Sequence, residues 1–246
     1  MGLFGFVKRG QKESVCSAVI VAAGASTRMG SDKILAALQG EPVIVHTLRA
    51  FERAPSIGEI ILVTREERLV ELAQICKDYG ISKVSKVVRG GVSRTASVYL
   101  GAIEVRREAQ LIAIHDGARP LVSVQMIERT VAQAGKCGAA APALPVKDTI
   151  KVARDGAVES TPDRETLFAV QTPQVFEASL IKAALKKALD GDEPLTDDCS
   201  AVERLGMKVV LVEGDEYNIK LTTPADLIIA ECLMNGGMEY ENRTRI

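Results

Sequence analysis

Short, mostly apolar runs recur along the first 144 residues of the chain, and segments with helical spacing separate them. Strands buried on both faces appear in a sequence as continuous apolar runs, whereas amphipathic helices show apolar residues every three or four positions. The runs lie at residues 18–24, 59–64, 86–89, 111–115 and 139–144. Because strands that alternate with helices form βαβ units, the pattern predicts an α/β protein with a Rossmann-like, mainly parallel twisted sheet flanked by helices.

Small and charged residues collect directly after three of these runs. They occupy residues 24–33, 90–97 and 116–119. The carboxyl ends of parallel strands meet at one edge of a sheet, and ligands of such sheets bind beyond that edge. We therefore expect the three loops to meet around one ligand.

The first of these loops has the features of a phosphate-binding turn. It follows a buried strand, is rich in small residues and carries the cations Arg28 and Lys33. Free backbone N–H groups and cations suit a chain of phosphates. Ser26 departs from the Rossmann fingerprint, and Met29 stands where a P-loop has its second glycine, so neither standard motif applies. An ordinary strand-to-helix connection is the alternative.

The alternation of strands and helices breaks at about residues 145–171. Two short strand-like segments flank Asp155-Gly156 there, a pair that favours a tight hairpin turn. This predicts a β-hairpin arm that projects from the sheet. Because an isolated hairpin is only marginally stable in water, we expect the arm to pack on a second copy of the chain, with a loose surface excursion as the alternative.

Composition and charge narrow the range of functions. The net charge of −1 argues against a general nucleic-acid-binding protein, and no apolar run approaches the roughly 18 residues of a membrane span. Five widely spaced cysteines without a Cys-x-x-Cys motif are typical of free thiols in a reducing compartment, so we expect a cytoplasmic protein. We also expect one domain over residues 15–234, with loose tails at residues 1–14 and 235–246.

The residues that follow the predicted strands favour phosphoryl or nucleotidyl transfer. Cations outnumber carboxylates among them, and neither a Ser-His-Asp set nor a Gly-x-Ser-x-Gly elbow can be assembled. Transfer to a phosphate needs charge neutralisation and in-line positioning more than a protein nucleophile. Asp116, just past a buried strand, could hold Mg²⁺ beside substrate phosphates, or it could simply cap a turn.

A series of short motifs follows in a fixed order along the chain. One of them is His115-Asp116-Gly117-Ala118-Arg119-Pro120. The others lie at residues 22–33, 89–97, 146–149, 163–164, 172–174, 195–198 and 218–222. In this order they resemble the signatures of the 2-C-methyl-D-erythritol 4-phosphate cytidylyltransferase family, and the resemblance covers about residues 17–234.

The resemblance implies a nucleotidyltransferase-type fold and the transfer of CMP from CTP to 2-C-methyl-D-erythritol 4-phosphate, with release of pyrophosphate, in the non-mevalonate isoprenoid pathway. Mg²⁺ or another divalent cation would assist, with Asp116 near it. The residues implied as catalytic are Arg28, Lys33 and Lys220. Those implied for the nucleotide are Ala22, Ala23, Gly24, Gly90, Gly91, Ser97, Asp116 and Ala118. Those implied for the polyol phosphate are Arg119, Thr149, Arg164, Thr172 and Thr196.

The resemblance also implies a homodimer that exchanges the arm, so that Arg164 serves the site of the second subunit. One departure from the family pattern concerns Asp32, which precedes Lys33 where family members often have proline, and the loop from Arg28 to Lys33 is short. Compact loops of this kind also occur in molybdenum-cofactor nucleotidyltransferases. Cytidylyltransferases that act on ribitol 5-phosphate share much of the same pattern and are the second alternative.

Overall fold

The computed structural model describes residues 16–24, 32–191 and 194–243, with side chains up to residue 236. Its strands are β1 (Cys16–Val21), β2 (Ala37–Leu38), β3 (Glu41–Pro42), β4 (Ile57–Thr64), β5 (Val84–Arg89), β6 (Leu111–Asp116), β7 (Ala139–Pro145), β8 (Val152–Arg154), β9 (Ala157–Ser160), β10 (Phe168–Val170), β11 (Gln174–Glu177) and β12 (Val210–Glu213). Its α-helices are α1 (Val43–Arg53), α2 (Leu69–Asp78), α3 (Arg94–Ile103), α4 (Val124–Cys137), α5 (Ala178–Leu189), α6 (Asp198–Glu203) and α7 (Pro224–Arg243). Single 3₁₀ turns lie at Glu66–Arg68 and Arg164–Thr166.

Eight strands form one mixed sheet in the order β10, β7, β11, β6, β1, β4 and β5, with β12 also paired to β7. β1 pairs in parallel with both β4 and β6, and β4 pairs in parallel with β5. β11 runs antiparallel to both β6 and β7, so β7 points in the same direction as β6. Within this sheet only β10 and β11 oppose the common direction. The predicted α/β fold with a mainly parallel sheet is therefore confirmed.

Apolar side chains cover both faces of this sheet, which explains the continuous apolar runs in the sequence. In β1, the neighbouring residues Val19 and Ile20 are both fully buried and belong to clusters on opposite faces. One cluster includes Phe51 of α1 and Met126 of α4. The other includes Ile181 of α5. Two packed layers therefore hold the carboxyl ends of the central strands in fixed positions.

Backbone hydrogen bonds continue past the ends of the central strands and join the loops that follow them. The N–H of Ala22 donates to the carbonyl oxygen of Val63 at 2.7 Å. The N–H of Gly117 donates to the carbonyl oxygen of Val21 at 2.9 Å. The strand-end loops therefore begin from a rigid edge.

The arm predicted at residues 145–171 contains the antiparallel pair β8 and β9. Asp155 and Gly156 have φ angles of 51° and 81°, the left-handed conformation that a tight hairpin turn requires. β8 and β9 form a two-stranded sheet of their own, and Val158 of β9 exposes 61% of its surface. The arm therefore projects from the sheet, as the sequence predicts.

The strand β11 was not assigned by the sequence analysis. It contains only four residues, and it enters between β6 and β7 in the antiparallel direction. A run this short gives too little periodicity to separate a strand from an extended loop. Together with β10, it makes the sheet mixed.

Helix α7 extends to Arg243, whereas the sequence predicts a helix that ends near Met234 and a loose tail from residue 235. The segment after Met234 contains no proline, and each of its two glycines costs a helix only about 1 kcal/mol. The predicted tail at residues 1–14 lies outside the described residues. None of the helices in the described ranges is long and apolar enough to cross a membrane.

Gly101 and Gly135 provide a matched pair for measuring how closely the helices pack on the sheet. Gly101 lies in α3, and a Cβ atom there would stand 2.6 Å from both Val19 Cγ1 and Val63 Cγ2. Gly135 lies in α4, where a Cβ atom would have Leu111 Cδ1 as its nearest neighbour, at 3.9 Å. The same substitution should therefore have opposite effects in the two helices.

We expect Gly101→Ala to lower the free energy of unfolding by roughly 1 to 3 kcal/mol, because the strand side chains must shift to admit the methyl group. Gly135→Ala should raise it by up to about 1 kcal/mol, because alanine is the better helix former. Urea unfolding followed by circular dichroism measures both changes. Equal effects at the two positions would contradict this account of the packing.

Candidate active site

A pocket of about 340 Å³ opens at the carboxyl ends of the central strands. Residues from all three loops that the sequence analysis selected contribute to its lining. The predicted site residues in the lining are Ala22, Ala23, Gly24, Lys33, Gly91, Ser97, Asp116, Ala118 and Lys220. The structure therefore brings these loops together at one edge, and the roles of the individual residues stay predictions.

Asp116 is the electrostatic centre of the pocket. Lys220 Nζ lies 2.8 Å from its Oδ2, Arg94 Nη2 lies 3.4 Å from its Oδ1, and Arg119 Nε lies 3.7 Å from its Oδ2. Burial by itself would raise the pKa of this carboxyl, but the charges of Arg94 and Lys220 outweigh that effect and hold the pKa well below its ordinary value. Asp116 is therefore ionised whenever the protein is folded at ordinary pH.

Arg94 is a residue of the pocket that the sequence analysis did not select. Its guanidinium donates two hydrogen bonds to the buried carboxylate of Asp198, at 3.0 and 2.8 Å, and also reaches Asp116. Gln174 Oε1 accepts the N–H of Asp198 at 3.0 Å and so fixes that carboxylate in turn. A signal for Arg94 existed, because a cation at the first position of a helix opposes the helix dipole and needs a local partner.

Two glycines let the loop after β5 pack closely, Gly90 against the loop after β1 and Gly91 against the first turn of α3. A Cβ atom on Gly90 would lie 2.8 Å from the Cβ of Ala23, and one on Gly91 would lie 2.5 Å from the Cβ of Ala96. The hydroxyl of Ser97 accepts the N–H of Gly91 at 3.1 Å. The two glycines therefore allow a close approach of backbones that no side chain would permit.

Thr172 lies beneath Asp116 and is buried. Its Oγ1 accepts the N–H of Asp116 at 3.2 Å and lies 2.9 Å from His115 Nδ1. Because the Nε2 of His115 faces the carbonyl oxygen of Arg119 at 3.3 Å, Nε2 carries the ring proton and Nδ1 accepts the hydroxyl proton of Thr172. Burial lowers the pKa of His115 to about 3, which keeps the ring neutral. Both the donor and an acceptor site of the Thr172 hydroxyl are therefore used by hydrogen bonds inside the protein.

Asn218 ties the segment that carries Lys220 to the same network. Its side-chain amide is fully buried and donates to the carbonyl oxygen of Thr172 at 2.9 Å. The backbone carbonyl oxygen of Asn218 accepts from Arg119 Nη1 at 2.7 Å. These contacts hold the segment from which Lys220 lines the pocket, which Lys33 also lines.

Six predicted site residues of the described ranges do not line the pocket. Three of them, Gly90, Arg119 and Thr172, contact residues that do line it. Arg28 lies outside the described residues. Thr149 and Arg164 are exposed on the arm, where Arg164 Nη1 donates to the carbonyl oxygen of Lys147 at 3.0 Å. Thr196 is also exposed, and its hydroxyl contacts that of Ser200 at 2.9 Å.

The donor set of the pocket fits a metal ion only in part. Asp116 is the only carboxylate among the described lining residues, and no group of three or more histidine, cysteine or acidic residues in the described ranges could hold a metal. Both oxygens of Asp116 already face cations. Mg²⁺ commonly takes one or two carboxylates together with substrate phosphates and water. The site therefore fits a metal ion that is held mainly by a phosphate chain.

Comparisons with known sequences agree with this geometry. A sequence model of the IspD family, described as 2-C-methyl-D-erythritol 4-phosphate cytidylyltransferase, matches residues 16–236. A protein of that name from Caldanaerobacter subterraneus subsp. tengcongensis is 48% identical over 223 residues, which cover 89% of this chain and 98% of the relative. One from Bacillus velezensis is 47% identical over 219 residues, which cover 88% of this chain and 94% of the relative.

Solved structures give the same result. The crystal structure of 4-diphosphocytidyl-2C-methyl-D-erythritol synthase from Anaerococcus prevotii matches with a TM-score of 0.82 and 32% identity, over 91% of this chain and 97% of that one. The cytidylyltransferase structure from Thermus thermophilus matches with a TM-score of 0.72 and 32% identity, over 88% of this chain and 98% of that one. The chain therefore belongs to the 2-C-methyl-D-erythritol 4-phosphate cytidylyltransferase family.

Proposed function

We propose that this enzyme transfers the CMP unit of CTP to 2-C-methyl-D-erythritol 4-phosphate, which gives 4-diphosphocytidyl-2-C-methyl-D-erythritol and pyrophosphate in the non-mevalonate isoprenoid pathway. The observation that carries the proposal is the convergence of Lys33, Lys220 and Arg94 on one pocket around a single carboxylate. The family match and relatives at 47 and 48% identity favour this activity over the ribitol 5-phosphate and molybdenum-cofactor alternatives.

The reaction is a displacement at the α-phosphorus of CTP. An oxygen of the substrate phosphate forms a bond to the α-phosphorus, and the bond from that phosphorus to the bridging oxygen of pyrophosphate breaks. Negative charge spreads over the α-phosphate oxygens and the leaving group, so the protein needs cations more than a nucleophile. Lys33, Lys220 and Arg28 are the residues we propose for this stabilisation, and Asp116 keeps Lys220 in place before substrate binds.

We propose the remaining predicted residues as binding groups. The small residues of the first loop and the glycines of the second allow the nucleotide to approach the backbone, which suits Ala22, Ala23, Gly24, Gly90, Gly91, Ser97 and Ala118. Arg119, Thr149, Arg164 and Thr196 are proposed for the polyol phosphate. Because the hydroxyl of Thr172 already serves His115 and Asp116, we propose that Thr172 acts on the substrate by holding Asp116.

A divalent cation, Mg²⁺ in the first instance, is proposed to accompany CTP. Asp116 is the protein group that would lie beside it, and the triphosphate would supply most of its ligands. When bound, such an ion neutralises phosphate charge. A cytoplasmic location is proposed on the free and mostly buried cysteines Cys16, Cys76 and Cys199, which are typical of a reducing compartment.

We propose that the arm of residues 145–171 forms a homodimer. Its exposed apolar side chains include Val158 and Phe168, and a hairpin of this size gains stability only by packing on another surface. In such a dimer Arg164 would be delivered to the site of the second subunit.

The direct test of the activity is release of pyrophosphate. We expect release when the protein is supplied with CTP, Mg²⁺ and 2-C-methyl-D-erythritol 4-phosphate, and none when EDTA replaces Mg²⁺. GTP in place of CTP, and ribitol 5-phosphate in place of the substrate, are the matched controls and should give at most a small fraction of the rate. A higher rate with ribitol 5-phosphate would contradict the substrate assignment.

Lys220→Ala should lower kcat/KM by a factor of about 10² or more, the usual cost of removing a group that stabilises transition-state charge. Steady-state kinetics of pyrophosphate release measures it. Lys86→Ala is the matched control, since Lys86 is exposed and pairs with Glu104 away from the pocket. The role of Lys220 would be disproved by a loss of less than threefold in a variant that folds normally.

Val158→Asp should weaken the dimer, because it places a charge on the exposed apolar side of the arm. Sedimentation equilibrium should show a shift from twice the chain mass toward the single-chain mass. Val70→Asp is the control, because Val70 is 84% exposed on α2, far along the chain from the arm. A wild-type protein that sediments as a monomer would refute the dimer outright.

A further inference from the structure

Asp32 begins the turn that carries Lys33 into the pocket. Its carbonyl oxygen accepts the N–H groups of Leu35 and Ala36 at 3.1 and 3.0 Å. Its side-chain Oδ1 accepts the N–H of Ile34 at 3.3 Å. Aspartate favours the first position of a turn for this reason, since its side chain satisfies backbone donors that the turn leaves open.

The other side-chain oxygen of Asp32 connects this turn to a distant part of the chain. Oδ2 lies 2.6 Å from Arg65 Nη2 and 3.3 Å from Arg68 Nε. Arg65 directly follows β4, and Arg68 ends the 3₁₀ turn before α2. The Asp32 side chain is only 14% exposed, so solvent screens these ion pairs less than it screens pairs on an open surface.

The far end of the same turn is anchored in the core. Ile34 is buried, and its carbonyl oxygen accepts the N–H of Ile44 in α1 at 3.0 Å. The carbonyl oxygen of Ala36 accepts the N–H of Val43 at 3.0 Å. The backbone of Lys33 is therefore held on both sides. The hydrogen bonds to α1 hold the side that follows it, and the ion pairs of Asp32 with Arg65 and Arg68 hold the side that precedes it.

We infer that Asp32 is a positioning residue for the transfer reaction, and that it acts through Lys33. The inference rests on the proposed function, in which Lys33 stabilises charge on the phosphate chain of CTP. A cation contributes to such a step in proportion to how well it is held before the substrate arrives. Asp32, with Arg65 and Arg68, holds the backbone from which the Lys33 side chain reaches the pocket.

Asp32→Asn is the sharpest variant, because asparagine retains an oxygen for the N–H of Ile34 and removes the charge that binds Arg65 and Arg68. We expect kcat/KM for CTP to fall about tenfold. In a Lys33→Ala background the same substitution should change kcat/KM by less than twofold, because the residue through which it acts is already absent. Steady-state kinetics of the four proteins of this cycle provides the measurement.

Glu67→Gln is the matched control. Glu67 also pairs with Arg65, at 3.3 Å, but its side chain is 63% exposed and it follows Arg65 in the chain instead of belonging to the turn of Lys33. It should leave kcat/KM within twofold. Arg65→Ala combined with Arg68→Ala should reproduce the loss seen in Asp32→Asn, and adding Asp32→Asn to that pair should lower activity no further.

Equal losses from Asp32→Asn with and without Lys33 would overturn the inference, and so would a loss in the Glu67→Gln control as large as that in Asp32→Asn. Thermal stabilisation by CTP alone gives a second readout that needs no turnover. If wild-type protein binds CTP but releases no pyrophosphate, the proposed function fails. The positioning role is still supported in that case if Asp32→Asn reduces the thermal stabilisation by CTP only when Lys33 is present. If Asp32→Asn leaves both kcat/KM and CTP stabilisation unchanged, the positioning role fails while the transfer activity stands.

Discussion

The rest of the site depends on the charge of Asp116. Lys220, Arg94 and Arg119 all point at this carboxylate within 3.7 Å, and cations so close together in a partly buried site would otherwise repel one another. One buried negative charge between them offsets much of that repulsion. The cations in return keep the pKa of Asp116 far below its ordinary value. The pocket is therefore electrostatically organised before a phosphate arrives, which is the condition under which fixed charges stabilise a transition state best.

The position of Asp116 depends in turn on neutral groups beneath it. The hydroxyl of Thr172 accepts a hydrogen bond from the N–H of Asp116 and donates one to His115 Nδ1. The side-chain amide of Asn218 donates to the carbonyl oxygen of Thr172. A protonated imidazole in this place would add a further cation under the site and break its bond from Thr172. Because burial lowers the pKa of His115 from its ordinary 6.5 to about 3, the unfolded chain takes up a proton in this pH range that the folded chain does not. This residue therefore makes the fold less stable as pH falls from about 6.5 toward 3.

Much of the fold could be predicted because the relevant signals are local. The apolar runs of β1 and β6 are buried on both faces, and small or charged residues end them, so both the sheet and its active edge follow from neighbouring residues. The turn at Asp155-Gly156 is equally local. The insertion of β11 between β6 and β7 was missed because it depends on pairing between segments that are distant in sequence.

The same distinction separates what was found in the site from what was missed. Asp116 and Lys220 were selected because each stands in a recognisable motif. Arg94 was missed because its role depends on Asp198, 104 positions away, and the contact of Asp32 with Arg65 spans 33 positions. No periodicity or local motif records such a pair. The sequence therefore predicts which strand ends form the site, and only the packed structure shows which charges meet there.

The charge balance around Asp116 also limits what this carboxylate can do for a metal ion. Its two oxygens face Arg94 and Lys220, so a dication beside it would meet positive charge on two sides. Only added negative charge, such as that of a triphosphate, would make that position favourable. Lys220 lines the pocket and its side chain is 38% exposed, so it can exchange its bond to Asp116 for one to a phosphate oxygen. The carboxylate is therefore first of all the ion-pair partner that keeps Lys220 in place, and the proposed metal ion would enter together with the nucleotide.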